Sequence, residues 1–452
     1  TEPGKLNIQI RAIPMNNQNK SSQFNEDYKE TSYWLDDISS FDPKNDHWPE
    51  LPKQADLVII GSGYTGLNAA IETAGKGMET LIIDEGNLGQ GCSTKNGGQI
   101  STSIKPSLNA LTKKYGGEKA SAIRQEGLNA LNWIDDFITL ENLNCEFTRC
   151  GRFHGAHTPS QYEQMCLTIN ELNEENITAH PVDKHAMTSE LGTDFYHGGL
   201  VFPDNASLHP AKYHRELLRL AEARGSKCIG NCKALKISRD RGRFVISTSK
   251  GEVVTKKLAI ATNGYTSSLT PWLKRRIIPI GSYIIATEPL DAVIMDRLFP
   301  TNRMITDSRK VVFYYRPSPD RTRILFGGRV SARETDPSKS GPKLLKDLVR
   351  LFPELTHTKI SHSWTGTVAY SFDELAHTGT QNEMHYAMSY CGSGVSMASY
   401  LGMKMGRKIA EVSDSDTAFD GLQYPSRPYY FGKPWFLPLA VGWYRMTDRI
   451  FN

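Results

Sequence analysis

The chain has 452 residues, a net charge of +4, 39% hydrophobic and 23% charged residues. This is the composition of a globular protein long enough to bury a sizeable core and still enclose a ligand of cofactor size. No Lys/Arg-rich block stands out, which argues against nucleic acid as a partner. No apolar run of about 20 residues occurs, so no transmembrane segment is expected. No charged stretch followed by an apolar core marks a secretory signal. Seven cysteines are an odd number, which forbids complete internal pairing. Cys145/Cys150 and Cys228/Cys232 are spaced wider than a CxxC motif. Reduced thiols in a cytoplasmic protein without a metal site are the expectation.

Residues 1–31 are expected to be a flexible N-terminal segment. Residues 1–14 read as a non-native extension ahead of a native start at Met15, and the polar stretch 16–29 as mobile. Structure begins in earnest at Leu57-Val58-Ile59-Ile60, an apolar, β-branched run of the kind buried on both faces of a parallel sheet. Residues 64–76 carry Leu67, Ala70, Ile71 and Ala74 at helical spacing, and Gly75 and Gly77 then stop the helix. Thr80-Leu81-Ile82-Ile83 is a second buried strand, so about thirty residues make one βαβ unit. Helical periodicity returns over 108–138. Short alternating runs dominate 145–158 and 277–330, notably 282–287, 311–316 and 324–326; these predict antiparallel strands with one face on a cavity. Between them lie a helix over 208–223, a strand over 244–248 and a buried strand over 258–262. The last core helix is predicted near 394–412.

The corner between the first strand and helix reads Gly61-Ser62-Gly63-Tyr64-Thr65-Gly66. Its strand-to-helix context makes GxGxxG a dinucleotide fingerprint. Gly61 permits the tight turn, Gly63 lets a pyrophosphate approach the backbone, and Gly66 lets helix and strand pack closely. The helix N-terminus, starting with Tyr64 and Thr65, offers free N–H groups to phosphate. Asp84 ends the second strand where a carboxylate accepts ribose hydroxyls; Glu85 is adjacent, and the strand phase favours Asp84. A second glycine-rich loop, GQGCSTKNGGQ at 89–99, serves no purpose for a nicotinamide but suits the ribityl chain and wide ring of FAD. Gly91, Cys92, Ser93, Asn96, Gly97, Gly98 and Gln99 are its candidate contacts. Thr262, Asn263 and Gly264 end a buried strand in small residues. Gly392, Ser393, Gly394, Val395 and Ser396 open the late helix, whose positive end suits an anionic reduced flavin. Ala234 and Leu235 complete the candidate cofactor contacts.

These segments, in this order, resemble the D-amino-acid-oxidase-like superfamily of FAD oxidoreductases, and within it the γ-glutamylputrescine oxidoreductase group. The similarity runs from about residue 32 to the C-terminus. It rests on GSGYTGLNAA at 61–70, GQGCSTKNGGQ at 89–99, ATNGYT at 261–266, YYRPSPDRTRILFGG at 314–328 and WTGTVAYSFDELAHTG at 364–379. The fold it implies is α/β: a Rossmann-type FAD-binding domain (32–140, 200–275, 356–430), a substrate domain of mainly antiparallel sheet plus helix (141–199, 276–355), and a C-terminal helical tail (431–452). The tail is expected to pack over the cofactor domain. Covalent relatives often carry His in the second glycine loop, whereas this chain has Cys92 and Ser93, so FAD is expected to be non-covalent. Amino-acid oxidases of the superfamily often place an Arg shortly after Trp-x-Gly to pair with the α-carboxylate. Here Trp364-Thr365-Gly366-Thr367 is followed by Val368, which favours a simple amine with a distant anionic group.

The implied reaction is hydride transfer from the carbon beside the amine nitrogen to flavin N5, giving an imine that hydrolyses, with O2 or another acceptor reoxidising the flavin. No dedicated acid–base residue is required. Arg152 and His154, two apart on one strand face, are candidates for an anionic tail. Tyr283, Tyr315 and Trp364 are candidates for an aromatic wall around the amine, and Arg316 is either a substrate contact or a structural cation. The alternatives are an α-amino-acid or N-methyl-amino-acid oxidase and a non-catalytic flavoprotein subunit.

Overall fold

In a computed structural model that describes residues 23–38, 50–331 and 336–450, the chain forms two large sheets. The first is built on the expected βαβ unit: Gln54–Ile60, helix Tyr64–Ala74 and Thr80–Ile83. Its order is Ala234–Asp240, Arg243–Thr248, Gly251–Ile260, Gln54–Ile60, Thr80–Ile83, Lys227–Ile229, with the hairpin His377–Gln381/Met384–Met388 joined to Gly251–Ile260. Its central strands pair in parallel. Leu57, Val58, Ile59, Leu81, Ile82 and Ile83 are buried, as strands covered on both faces require. Helix Gly394–Ile409 crosses helix Tyr64–Ala74 closely, because a Cβ at Gly402 or Gly406 would meet the carbonyls of Thr65 and Ala69.

The second sheet has nine strands in the order Phe24–Lys29, Ile360–Tyr370, Ile278–Thr287, Ile324–Ser331, Tyr314–Pro317, Met304–Asp307, Arg152–Gly155, Gly199–Phe202, His180–Val182. Most pairings are antiparallel; two, at Phe24–Lys29 and at Met304–Asp307 with Arg152–Gly155, are parallel. Helix Pro337–Leu351 covers one face. Leu344, Leu348 and Leu351 there form a core with Tyr283, Ile285, Phe326 and Tyr315. The expected α/β class, with a Rossmann unit and a second, mainly antiparallel sheet, is what the chain adopts.

Several boundaries differ from the sequence reading. Phe24–Lys29 falls in the segment expected to be flexible, yet it is an edge strand pairing with Ile360–Tyr370; residues 1–22 lie outside the described residues. Ile360–Tyr370, assigned to the cofactor domain, pairs with Ile278–Thr287 over ten positions and belongs to the substrate sheet. The helical stretch 108–138 is two helices, Leu108–Tyr115 and Gly117–Leu140, divided where Gly116 takes φ +85°. The strand expected over 311–316 begins only at Tyr314. The tail helix Leu437–Ile450 lies beside Ile324–Ser331 of the substrate sheet, while Phe431 and Gly432 at the start of the tail meet Arg275 and Lys274. No helix among the described residues is long and apolar enough to cross a membrane.

Candidate active site

The glycine corner has the geometry of a phosphate cradle. Gly61 adopts φ +113°, and a Cβ there would stand 2.7 Å from the carbonyl oxygen of Ala261. A Cβ on Gly66 would stand 2.0 Å from the Gly61 carbonyl, so only glycine lets the helix sit this close to the strand. Helix Tyr64–Ala74 starts at Gly63 with no side chain capping it. Its first N–H is held only by the Ser93 hydroxyl, at 3.1 Å, which leaves a first turn of donors and a positive dipole end for phosphate. Asp84 accepts both the N–H and the hydroxyl of Ser62 at 2.7 Å, and the Gly86 N–H at 3.1 Å. Glu85 points to solvent and pairs with Lys233. Residues 231–235 lie alongside, with the Asn231 and Cys232 N–H groups donating to the carbonyls of Gly86 and Asp84. Ala234 is there half-buried and Leu235 exposed.

The second glycine loop is fastened to the substrate sheet carbonyl by carbonyl. Trp364 Nε1–H donates to Lys95 O at 2.9 Å, and Trp34 Nε1–H to Asn96 O at 2.8 Å. The Arg316 guanidinium reaches Gly98 O at 3.4 Å and Leu208 O at 3.0 Å. Gln99 Nε2 donates to the carbonyls of Ile305 and Tyr315. Ser32 Oγ holds Thr94 O, and Asn96 Nδ2 closes the loop on Cys92 O and Ser93 O. Across the site, Asn263 takes φ +40° and accepts the Ser389 N–H, and a Cβ on Gly264 would meet Thr367. Helix Gly394–Ile409 begins after Gly392, which has φ +100°. Ser393 does not cap the helix; its hydroxyl donates to Ser103 O. Val395 and Ser396 are buried in the first turn.

Beyond the loop lies a cationic group. His154 and Arg152 share the outward face of Arg152–Gly155, whose burial alternates. His154 Nδ1 bonds the Thr306 hydroxyl at 2.9 Å. Burial, reinforced by the charges of Arg152 and Lys105, pushes its pKa down to about 3, so the imidazole is neutral at physiological pH. Arg152 lies over the Phe202 ring at 4.6 Å, and its Nε finds no hydrogen-bond partner. Burial alone lowers its pKa, to about 10, and no carboxylate among the described residues offsets that. The Lys105 ammonium sits 5.5 Å from the Tyr370 ring. Burial works to lower its pKa, but Tyr370 and Glu374 outweigh that and hold it above the ordinary value. Two cations therefore flank a neutral imidazole.

Residues 56–407 match the family described as FAD dependent oxidoreductase, DAO. The chain belongs to the DAO family of FAD-dependent oxidoreductases. Among relatives of this DAO-family chain, it is 30% identical to the probable oxidoreductase OrdL of Rhizobium meliloti over 417 residues, covering 90% of this chain and 96% of that one. It is 26% identical to the gamma-glutamylputrescine oxidoreductase of Escherichia coli over 411 residues, covering 87% and 93%. Among solved structures it resembles glycine oxidase from Geobacillus kaustophilus with a TM-score of 0.71 at 14% identity, covering 84% of this chain and all of that one; at that identity the likeness is one of fold. The donors and glycines described above could hold the FAD of this family, with phosphate at Gly63–Tyr64, ribose at Asp84 and the ring system at the pinned loop 91–99.

Within this DAO-family site, several side chains stand elsewhere than the sequence reading put them. Tyr315 is fully buried beneath helix Pro337–Leu351, its hydroxyl bonded to that of Tyr196, and Tyr283 shares that core. Trp364 and Arg316 are also buried, and they hold the loop backbone. The aromatic ring that does face the loop is Tyr314. It packs on Gly97 and Gly327, with its hydroxyl on Ser282 at 2.8 Å. Strand alternation could have found it, since Tyr314 and Arg316 share a face that Tyr315 cannot. Lys105, Tyr370 and Trp34 also escaped the sequence reading. No motif contains Lys105, and Trp34 reaches the loop only because Phe24–Lys29 docks on the far edge of the sheet.

Proposed function

We propose that the chain oxidises an amine whose far end carries a carboxylate or phosphonate. FAD, when bound, would supply the two-electron oxidation of the carbon beside the amine nitrogen, and hydrolysis of the oxidised product would give an aldehyde plus ammonia or amine. The observation that carries the substrate class is Arg152, a half-buried cation that no carboxylate among the described residues offsets. A group of that kind is costly unless something pairs with it, and an anionic substrate end does so. His154 is neutral and adds no repulsion toward an ammonium. Lys105 adds a second positive charge, which favours the anion at this end and orients the amine away from it. The carbonyl-by-carbonyl fastening of residues 94–99 makes this loop a rigid support on which a ring system would be held in fixed register with the substrate. Removal of water from this cleft strengthens the cation–anion contact. FAD is held non-covalently, and seven cysteines of which none forms a disulfide suit a reducing, cytoplasmic setting.

The similarity to a gamma-glutamylputrescine oxidoreductase supports this reading, because a γ-glutamyl diamine carries its carboxylate remote from the reactive amine. Val368 in place of an arginine after the Trp364 motif weighs against an α-amino acid. Anaerobic mixing with a panel of amines tests it through loss of the oxidised-flavin absorbance. γ-Glutamyl diamines or aminoalkylphosphonates are expected to bleach the flavin fastest. Equal bleaching by glycine, sarcosine or an uncharged-tail amine would show that the anionic end is not recognised.

A further inference from the structure

We propose that the C-terminal segment docks this protein on the surface of an anionic phospholipid bilayer, with its last helix lying in the plane of the interface. Helix Leu437–Ile450 turns Leu437 and Val441 inward, where both are buried. On the opposite side Leu439, Trp443 and Met446 follow at intervals of four and three residues, and Trp435 stands in the turn just before the helix. In that order they are 75, 60, 44 and 62% exposed. That spacing makes one continuous apolar stripe, on a helix whose other face already satisfies its packing. Tyr429 and Phe431, 57 and 64% exposed, extend the patch toward the body of the protein. A large apolar stripe bare to water marks a surface that something covers.

Charge selects the occupant. From Gly421 to Ile450 the chain has Arg427, Lys433, Arg445 and Arg449 against a single acidic residue, Asp448. Lys433 is exposed, and the Arg275 guanidinium lies 4.7 Å over the Phe431 ring. Tryptophan and tyrosine rings with an excess of Lys and Arg are the composition that settles at an anionic lipid interface. A second copy of the same surface would bring these cations face to face. The helix is too short to span, so it lies on the bilayer.

The test is co-sedimentation of the FAD-loaded full chain with vesicles of phosphatidylcholine, with and without phosphatidylglycerol. Binding to the phosphatidylglycerol vesicles is expected, weaker without that lipid and released by salt. The variant W435S/L439S/W443S is expected to bind about tenfold more weakly, with flavin content and melting temperature unchanged. K433E/R427E keeps the stripe and is expected to lose the preference for anionic lipid. The proposal is overturned if the wild-type protein stays in the supernatant, or if both variants bind as it does. It is also overturned if velocity sedimentation shows a dimer that the triple variant splits while vesicles capture nothing.

Discussion

Replacing Arg152 by Met separates two consequences of an unpaired cation. Burial lowers the guanidinium pKa from 12.5 to about 10, a depression that costs about 3 kcal/mol. The stack on Phe202 at 4.6 Å returns about 0.5–2 kcal/mol of that. Methionine keeps an apolar stem of similar reach without the charge. The substrate-free enzyme is therefore expected to gain about 1–2 kcal/mol, seen as a melting temperature a few degrees higher. With an anionic amine the same substitution removes a desolvated charge pair, at a loss of about 2–4 kcal/mol. That is a fall in kcat/KM of roughly 30- to 1000-fold, carried mainly by KM. An amine with an uncharged tail should lose little. Thermal unfolding of the FAD-loaded protein and steady-state kinetics on the two amines read both effects. A lower melting temperature together with unchanged KM for the anionic amine would mean that Arg152 is a structural cation, and the substrate assignment would fail.

Three other outcomes follow from the site geometry. Asp84→Ala is expected to weaken FAD binding about 10- to 100-fold, a loss of about 1.5–3 kcal/mol for hydrogen bonds to a charged group, whereas Glu85→Ala, at an exposed ion pair, should leave it unchanged; flavin titration of apoprotein distinguishes them. A Cβ at Gly63 would meet only the Ser93 hydroxyl, at 2.9 Å, so Gly63→Ala combined with Ser93→Ala relieves that clash, and persistent loss of FAD in the double variant shows that the space belongs to pyrophosphate, while full recovery would refute it. His209 is buried, with Nδ1 accepting the Lys212 N–H at 3.1 Å and Nε2 donating to Asp37 at 3.2 Å, and its pKa is pushed down to about 4 from 6.5, chiefly by burial. The unfolded chain therefore takes up this proton before the folded one, so stability is flat above pH about 6.5 and falls as the pH drops toward about 4; His209→Asn, which keeps the helix cap, should flatten part of that slope in melting scans, and an unaltered slope would refute the assignment.

How much of this was readable in the sequence depends on the range of the contacts involved. The βαβ unit at 54–83 is local: apolar runs, three glycines and an acid at fixed offsets specify it, and burial of Leu57 to Ile60 and Leu81 to Ile83 follows from the pattern alone. Asp84 over Glu85 is the same kind of inference, because alternation along four buried residues decides which carboxylate turns toward Ser62. The pair Arg152 and His154 was legible from two-residue spacing. What spacing could not supply was which face of a strand meets the cofactor. Tyr283, Tyr315 and Tyr314 are all aromatic residues in alternating strands, and their roles are set by helix Pro337–Leu351, which claims one face for its leucines. The pinning of the loop was out of reach for a related reason. Lys95, Asn96 and Gly98 are held through their carbonyls, which every residue has, by Trp364, Trp34 and Arg316 at separations of 269, 62 and 218 residues. Trp34 does so from just after a stretch whose polar sequence reads as mobile, because Phe24–Lys29 gains its order from the exposed edge of Ile360–Tyr370 and not from its own composition. The side chains that carry chemistry were thus partly visible in the sequence. The ones that hold the cofactor loop still are visible only where two sheets meet.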